Sequence, residues 1–348
     1  MSGRASALAL IASAAIISGR AAWSQSPNAT LTAVAGIKVG HHTLAERPTG
    51  CTVILAEGGA TAGVDVRGAA PATRETDLLS PVNLVQQIHA IVLSGGSAFG
   101  LDSAAGVMRY LEEKQIGFPF GGAHVPTVPG ASLFDLNVGD PRIRPSADCG
   151  YQAAKAATAA PVGEGNVGAG AGATIGKTAG FGRAMKGGIG SAALIMPDGL
   201  IIAAIVAVNA AGDVIDPATG KVVAGVRTAD GAGLADARVL LRSGEMSRAR
   251  GGENTTIGVI ATNATLTKTQ ATLVARMAHD GFARAISPVH TASDGDAIFT
   301  MATGARTGNA DASLIGALAA EVMADASVRA AWQATGIPGY PAARDLKR

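Results

Sequence analysis

The tightest constraint on this chain is a short β-branched run, Ile257-Gly258-Val259-Ile260-Ala261, that starts directly after two adjacent hydroxyl residues, Thr255-Thr256. The segment ahead of it, Ser243–Gly252, is polar, Arg-rich and Gly-containing, which reads as an exposed loop. An apolar run this short, bounded by polar residues, reads as a buried strand rather than a helix. The junction is therefore a loop feeding straight into the core through two threonines.

Other segments divide between the two periodicities. Residues 36–66 alternate turns with short apolar pieces, Cys51–Leu55 among them, and read as β structure. His89–Leu93 and Ala297–Ala302 are further strand candidates. Ala192–Met196 and Leu200–Val208 flank Pro197-Asp198-Gly199 as the arms of a hairpin. Ser80-Pro81 has the N-cap and first-position pattern of a helix start. Ser94–Gly100 is expected to turn the chain into a helix reaching about Lys114, with Leu101, Ala104, Ala105, Met108 and Leu111 on one face. Thr267 and Gln270 form a capping-box pattern, and the helix after them places Leu273, Val274, Met277 and Ala278 inward. A last helix is expected from Ala312 to Asp325. At 348 residues and 48% hydrophobic the chain can build a large core. Its 47 glycines, with aromatics at 3%, point to close backbone approaches rather than disorder. A net charge of +2 with no asymmetry argues against a nucleic-acid partner.

A threonine at a loop-to-strand junction, preceded by a small polar residue, is a place where a chain can cut itself. The hydroxyl of Thr255 attacks the Asn254 carbonyl, the peptide becomes an ester, and water frees the Thr255 α-amine. That amine has a reference pKa of about 7.7–8.0 and can serve as base for its own hydroxyl. The same Thr-Thr pair is also the ordinary start of a strand, and the residues alone leave both readings open. Neighbouring side chains on a strand point to opposite faces, so only one of Thr255 and Thr256 can meet the carbonyl.

Competing motifs are weaker. Gly95-Gly96-Ser97-Ala98-Phe99 has Phe99 where a serine-hydrolase elbow needs glycine. Ala171 to Thr178 is one substitution from a P-loop, but Thr178–Gly190 is too glycine-rich for the helix that motif requires. Asp294-Gly295-Asp296 lacks the remaining ligands of a calcium loop. No Cys/His cluster has metal-ligand spacing, so neither metal nor cofactor is expected. Cys51 and Cys149 are read as unbridged, with Cys51 a buried thiol. Residues 1–26 read as a signal peptide: Arg4, an apolar run Ala5–Ile17, then Ala21-Ala22-Trp23-Ser24-Gln25, with Arg20 an awkward charge after the run. The run is too short for a comfortable membrane span. Export to the periplasm follows, with no membrane attachment once the signal is removed.

Asn254-Thr255-Thr256-Ile257 followed by Ala261-Thr262-Asn263 resembles the cleavage site of the self-processing peptidases of the L-aminopeptidase/D-amidase-esterase type, and among them the nylon-oligomer (6-aminohexanoate-oligomer) endo-hydrolases that cut at Asn-Thr. The resemblance runs from about Gly36 to about Asp325. It implies an α/β fold, a four-layer α/β/β/α sandwich of the N-terminal-nucleophile kind. It implies one catalytic domain over 27–348, cut into 27–254 and 255–348, acting on peptides or 6-aminohexanoate-like oligomers. Thr255 becomes the nucleophile. Lys177, in the Gly-rich stretch Gly163–Lys177, falls on an active-site lysine whose ammonium favours the Thr255 alkoxide and a neutral α-amine. Asn209 falls on a residue able to donate to an oxyanion. Asp294 and Asp296 fall on acidic groups that hold an ammonium. Phe134 stands where the family carries a pocket tyrosine, so any role needing that hydroxyl is in doubt. A homo-oligomer, tetramer or larger, is also implied. The rival expectations are aminopeptidase or D-amino-acid amidase-esterase specificity on the same site, or an uncleaved, non-enzymatic member.

Overall fold

The computed structural model describes residues 29–245 and 253–346. The expected signal peptide, and most of the loop before the Thr255 junction, lie outside the described residues. Nine strands form the main sheet: β1 (Lys38–Thr43), β2 (Gly50–Val66), β3 (Thr73–Arg74), β4 (Ile88–Ser94), β5 (Gly130–Ser132), β6 (Gly188–Ile195), β7 (Ile201–Val208), β8 (Ile257–Thr262) and β9 (Ala297–Ala302). Their order is β6-β7-β8-β9-β2-β4-β5-β3, with β1 also paired to β2. Among the described residues five helices accompany them: α1 (Ser103–Glu113), α2 (Ala147–Lys155), α3 (Ala237–Ser243), α4 (Lys268–Ala285) and α5 (Ala312–Gln333).

The 17-residue β2 serves two half-sheets. Its first part, Cys51–Leu55, pairs with β4, and its last part, Thr61–Val66, pairs with β9. The register shifts between Leu55 and Ala60, across Gly58-Gly59, where Gly59 has φ +83. A glycine pair with one residue at positive φ lets a single strand turn from one sheet into the next. Strand alternation then sorts the side chains. Cys51, Val53 and Leu55 pack with Val107 and Leu111 of α1 and Ala153 of α2. Ile54, Ile91 and Leu93 pack with Ile205, Val259 and Phe299 between the half-sheets. Ile202, Ile260 and Ile298 face Val274, Phe282 and Met323 of α4 and α5. The layers run α, β, β, α, so the four-layer sandwich implied by the resemblance is the architecture found.

Several local expectations hold. The hairpin forms with Ile195 opposite Ile201, and the capping box of α4 is made in both directions by Thr267 and Gln270. Four do not. No helix follows Ser80-Pro81; a short 3₁₀ turn, Asp77–Leu79, precedes it instead. The Lys268 ammonium takes the carbonyls of Leu78, Asn83 and Val85 at 3.0, 2.9 and 2.9 Å, and the last two are groups a helix there would need for itself. Leu273 is exposed, because the inward stripe of α4 is Ala271, Val274, Ala275, Ala278 and Phe282. The last helix runs on to Gln333, since Ala326, Ala330 and Ala331 remain in the core. Cys51 and Cys149 are joined in a disulfide, 98 residues apart in sequence. Stacking α2 against β2 brings them together, a proximity that sequence spacing did not show.

Candidate active site

Three strand ends meet at one place. β8 and β9 run parallel with Ile257 beside Ala297, and β7 runs antiparallel to β8 with Ala207 beside Ile257. Residues just before β8 and β9 therefore lie beside residues just after β7. These are Asn254-Thr255-Thr256, Asp294-Gly295-Asp296 and Asn209. Buried Thr255 donates its backbone N–H to the Asn209 carbonyl at 3.1 Å. Its hydroxyl donates to the carbonyl oxygen of Asn254 in a short hydrogen bond. The same oxygen accepts the Gly295 N–H at 3.0 Å. An alanine Cβ at Gly295 would stand 2.9 Å from Thr255 Oγ1 and 2.5 Å from the Ala70 carbonyl oxygen, so only glycine fits this wall undistorted.

Lys177 arrives from the Gly-rich segment. Gly176 precedes it with φ +74, where a Cβ would lie 2.1 Å from the Gly225 backbone. Glycine thus permits both the left-handed turn and the close approach. The backbone then bonds across to residues 211–212, through Gly176 N–H to the Gly212 carbonyl and Lys177 N–H to the Ala211 carbonyl. Lys177 Nζ donates to the Asn209 carbonyl at 2.9 Å, to Asn209 Oδ1 at 3.0 Å and to the Glu253 carbonyl at 3.4 Å. Its amine and the Thr255 N–H thus converge on one oxygen. Burial pushes Lys177 down to about 7, with Asp294, Glu253, Asp296 and Asp135 acting against the shift. Near neutral pH it is divided between ammonium and free amine.

Asn209 is engaged on both ends of its amide. Oδ1 accepts from Lys177 and, at 2.9 Å, from the Thr174 N–H, while Nδ2 donates to the Phe134 carbonyl at 2.8 Å. Phe134 thus contributes its backbone oxygen to the cluster, a role that does not depend on its side chain. Its neighbour Asp135 is locked in the core by Arg47 at 2.7 Å, the Thr49 hydroxyl at 2.6 Å and the Gly96 N–H at 2.9 Å.

Both aspartates are buried here. Asp296 Oδ1 accepts the Thr256 N–H at 2.6 Å, and Oδ2 accepts His290 Nδ1–H at 2.8 Å and the His290 backbone N–H at 3.2 Å. Asp294 Oδ2 accepts the Thr291 N–H at 2.7 Å. Burial, and then the nearby Asp296, raise Asp294 above the usual carboxylate range, against the pull of its Thr291 bonds and Lys177. Thr255, Lys177, Asn209, Asp294, Asp296 and the Phe134 carbonyl therefore form one cluster. Sequence reasoning missed two members. Gly295 stands in the sequence only as the middle of Asp294-Gly295-Asp296, and a glycine between two site acids is the signal for a close approach. His290 carried no sequence signal at all.

A buried threonine leads into a central strand of an α/β/β/α sandwich, with a depressed lysine and two carboxylates beside it, an arrangement suited to a hydrolase that cuts peptide or amide bonds. The chain belongs to peptidase family S58, whose model matches residues 29–344. It is 41% identical to an uncharacterized aminopeptidase of Mycobacterium leprae, over 90% of this chain and 94% of that one. It is 31% identical to the 6-aminohexanoate-oligomer endohydrolase of a Kocuria species, over 85% and 84%. Among solved structures, the L-aminopeptidase D-Ala-esterase/amidase of Ochrobactrum anthropi, described as a variant of the Ntn hydrolase fold, superposes with a TM-score of 0.65 at 19% identity, over 90% and 89%. A Burkholderia β-aminopeptidase gives 0.64 at 24%, over the same shares.

Proposed function

We propose that the chain cleaves itself between Asn254 and Thr255 and then works as an N-terminal-threonine amidohydrolase. The observation that carries this is the geometry at the bond: the Thr255 hydroxyl lies against the Asn254 carbonyl, whose oxygen already accepts the Gly295 N–H at 3.0 Å. In the first step Thr255 Oγ1 bonds to the Asn254 carbonyl carbon and gives up its proton, with Lys177 in its free-amine form as acceptor. The Gly295 N–H holds the oxyanion. This donor takes the part assigned to the Asn209 amide from sequence, since Asn209 Nδ2 is bound to Phe134. The C–N bond then breaks, the Thr255 nitrogen takes a proton, and water hydrolyses the ester to an Asn254 carboxylate and a Thr255 α-amine.

In the mature enzyme the Asn209 carbonyl, now the acceptor of the Thr255 N–H, orients that amine. The amine draws the proton from Oγ1 as the hydroxyl attacks a substrate carbonyl. The substrate C–N bond breaks, the leaving amine takes the proton held by the Thr255 α-ammonium, and water then hydrolyses the acyl ester on Thr255 to release the acid. Asp294 provides a carboxylate for a substrate ammonium. Substrates are peptides or 6-aminohexanoate-like oligomers; the aminopeptidase relatives favour those with a free amino end. Residues 1–26 direct export to the periplasm, a placement supported by the Cys51–Cys149 disulfide, which an oxidising compartment maintains. The mature enzyme assembles as a homo-oligomer, which a sizing column would test.

Intact mass and terminal sequencing of purified protein test the central claim. Two chains are expected, the smaller starting at Thr255, and Thr255→Ala should give one uncut chain without turnover. A start at Thr256, or a full-length wild type that hydrolyses amides, refutes the proposal.

A further inference from the structure

The turn that ends in Asp294 contains an oddity that the reaction as described does not use. His290 has φ +56, in the left-handed region that residues with a Cβ seldom occupy. Such a conformation persists where surrounding contacts over-determine it. Here they do. In this conformation the His290 backbone N–H and the imidazole Nδ1–H both donate to one oxygen, Asp296 Oδ2, at 3.2 and 2.8 Å. The next N–H along, of Thr291, donates to Asp294 Oδ2 at 2.7 Å. Two successive amides and one ring nitrogen thus support the two buried carboxylates, in the manner of a backbone nest. The other oxygen of Asp296 receives the Thr256 N–H at 2.6 Å, directly after Thr255.

Behind His290 the packing is neutral. The His279 ring from α4 stands edge-on to it, with centroids 4.8 Å apart, and Phe282 lies 6.3 Å away. His279 donates Nε2–H to the Asp65 carbonyl at 3.0 Å, and burial pushes its pKa down to about 4, so it carries no charge toward His290. The charged partner facing the imidazole is therefore Asp296, with Asp65 and Arg67 lying beyond His279.

We propose that His290 is a positioning residue for hydrolysis: its left-handed backbone and its Nδ1–H together hold the Asp296 carboxylate on the Thr256 N–H, fixing the backbone that presents the Thr255 hydroxyl. This rests on the reading of Thr255 as nucleophile. Without the imidazole donor of His290, one backbone N–H alone holds Asp296 Oδ2, the carboxylate is free to swing off Thr256, and the Thr255 hydroxyl loses its alignment with the carbonyl it attacks. Misalignment of that size lowers the rate of the chemical step more than substrate binding.

Two substitutions separate side chain from backbone. Asparagine tolerates the left-handed conformation and carries an N–H on the atom that follows Cγ, as histidine does at Nδ1. Glycine tolerates the conformation and keeps the backbone N–H but has no side-chain donor. His290→Gly is expected to lower kcat about tenfold or more with KM little changed, while His290→Asn stays within about threefold of wild type. An independent reading uses the uncut Thr255→Ala chain, so that it does not depend on self-cleavage. There, hydrogen exchange of the Thr256 amide should rise about tenfold or more in His290→Gly and not in His290→Asn. Equal kcat in the Gly and Asn variants, or Thr256 exchange that does not respond to His290→Gly, overturns the role of His290. Turnover by the Thr255→Ala chain would instead overturn the nucleophile, leaving the exchange measurement to judge His290 by itself.

Discussion

Replacing Gly295 with alanine tests the site at its tightest point. The added methyl would lie 2.5 Å from the Ala70 carbonyl oxygen, 2.9 Å from Thr255 Oγ1 and 3.0 Å from Pro71 Cα, where ordinary contact begins at 3.4 Å. Two of these neighbours are backbone, held by the Ala70 N–H to Asp294 carbonyl bond at 2.9 Å, so displacement falls on the Thr255 hydroxyl and on the Gly295 N–H itself. Crowding of this kind costs about 1–3 kcal/mol of stability. The kinetic effect is larger. Moving the one backbone donor on the Asn254 oxygen amounts to losing an oxyanion donor, worth about 10²–10³ in rate, or ~2.7–4 kcal/mol. Precursor made as the uncut chain should self-cleave at least about a hundredfold more slowly when followed by intact mass over time, with only a modest fall in melting temperature. Gly182→Ala, where the new methyl meets nothing within 4 Å, is the control and should process normally. Wild-type cleavage kinetics in a folded Gly295→Ala chain would refute both the oxyanion assignment and the reasoning from contact distances.

Three further outcomes are expected. Because Lys177 is depressed to about 7 and acts as its free amine, self-cleavage should slow about tenfold per pH unit below 7 and level off above it; Lys177→Met should be slow and flat across the same pH series. In Asp296→Asn one carboxylate oxygen becomes an amide facing N–H donors, so turnover should fall at least about tenfold, an added barrier of ~1.4 kcal/mol, with about 1–3 kcal/mol of stability lost in urea unfolding. Full turnover in a processed Asp296→Asn enzyme would remove that residue from the site. Cys149→Ser opens a bridge closing 98 residues and should cost about 2–5 kcal/mol, read as a lower urea midpoint than wild type under non-reducing conditions, whereas an unchanged midpoint would mean the thiols are not paired in solution.

The sequence by itself determined the longer strands of the sheet and helices α1, α4 and α5, because a period of two or of 3.6 is a local property of the chain, while the short β3 and β5 and helices α2 and α3 gave no such signal. Ile257–Thr262 and Ala297–Ala302 were legible as strands, and the Thr267–Gln270 box as the start of α4. It also led to Thr255, Lys177, Asn209, Asp294 and Asp296, through resemblance more than through chemistry, since each residue alone has an ordinary structural use. What it did not contain was anything set by a distant partner. Ser80-Pro81 carries a sound helix start, and only the Lys268 ammonium, far along the chain, shows why the Asn83 and Val85 carbonyls after it are spoken for. Cys51 and Cys149 read as unbridged, with Cys51 a buried thiol, until α2 is stacked on β2. The chemistry follows the same division. Residue identities were local, but the pKa of Lys177, the donor on the Asn254 oxygen and the His290–Asp296 pairing exist only where the ends of β7, β8 and β9 are brought side by side. Hydrogen bonds and desolvation act over a few ångströms, and folding alone decides which residues lie that close.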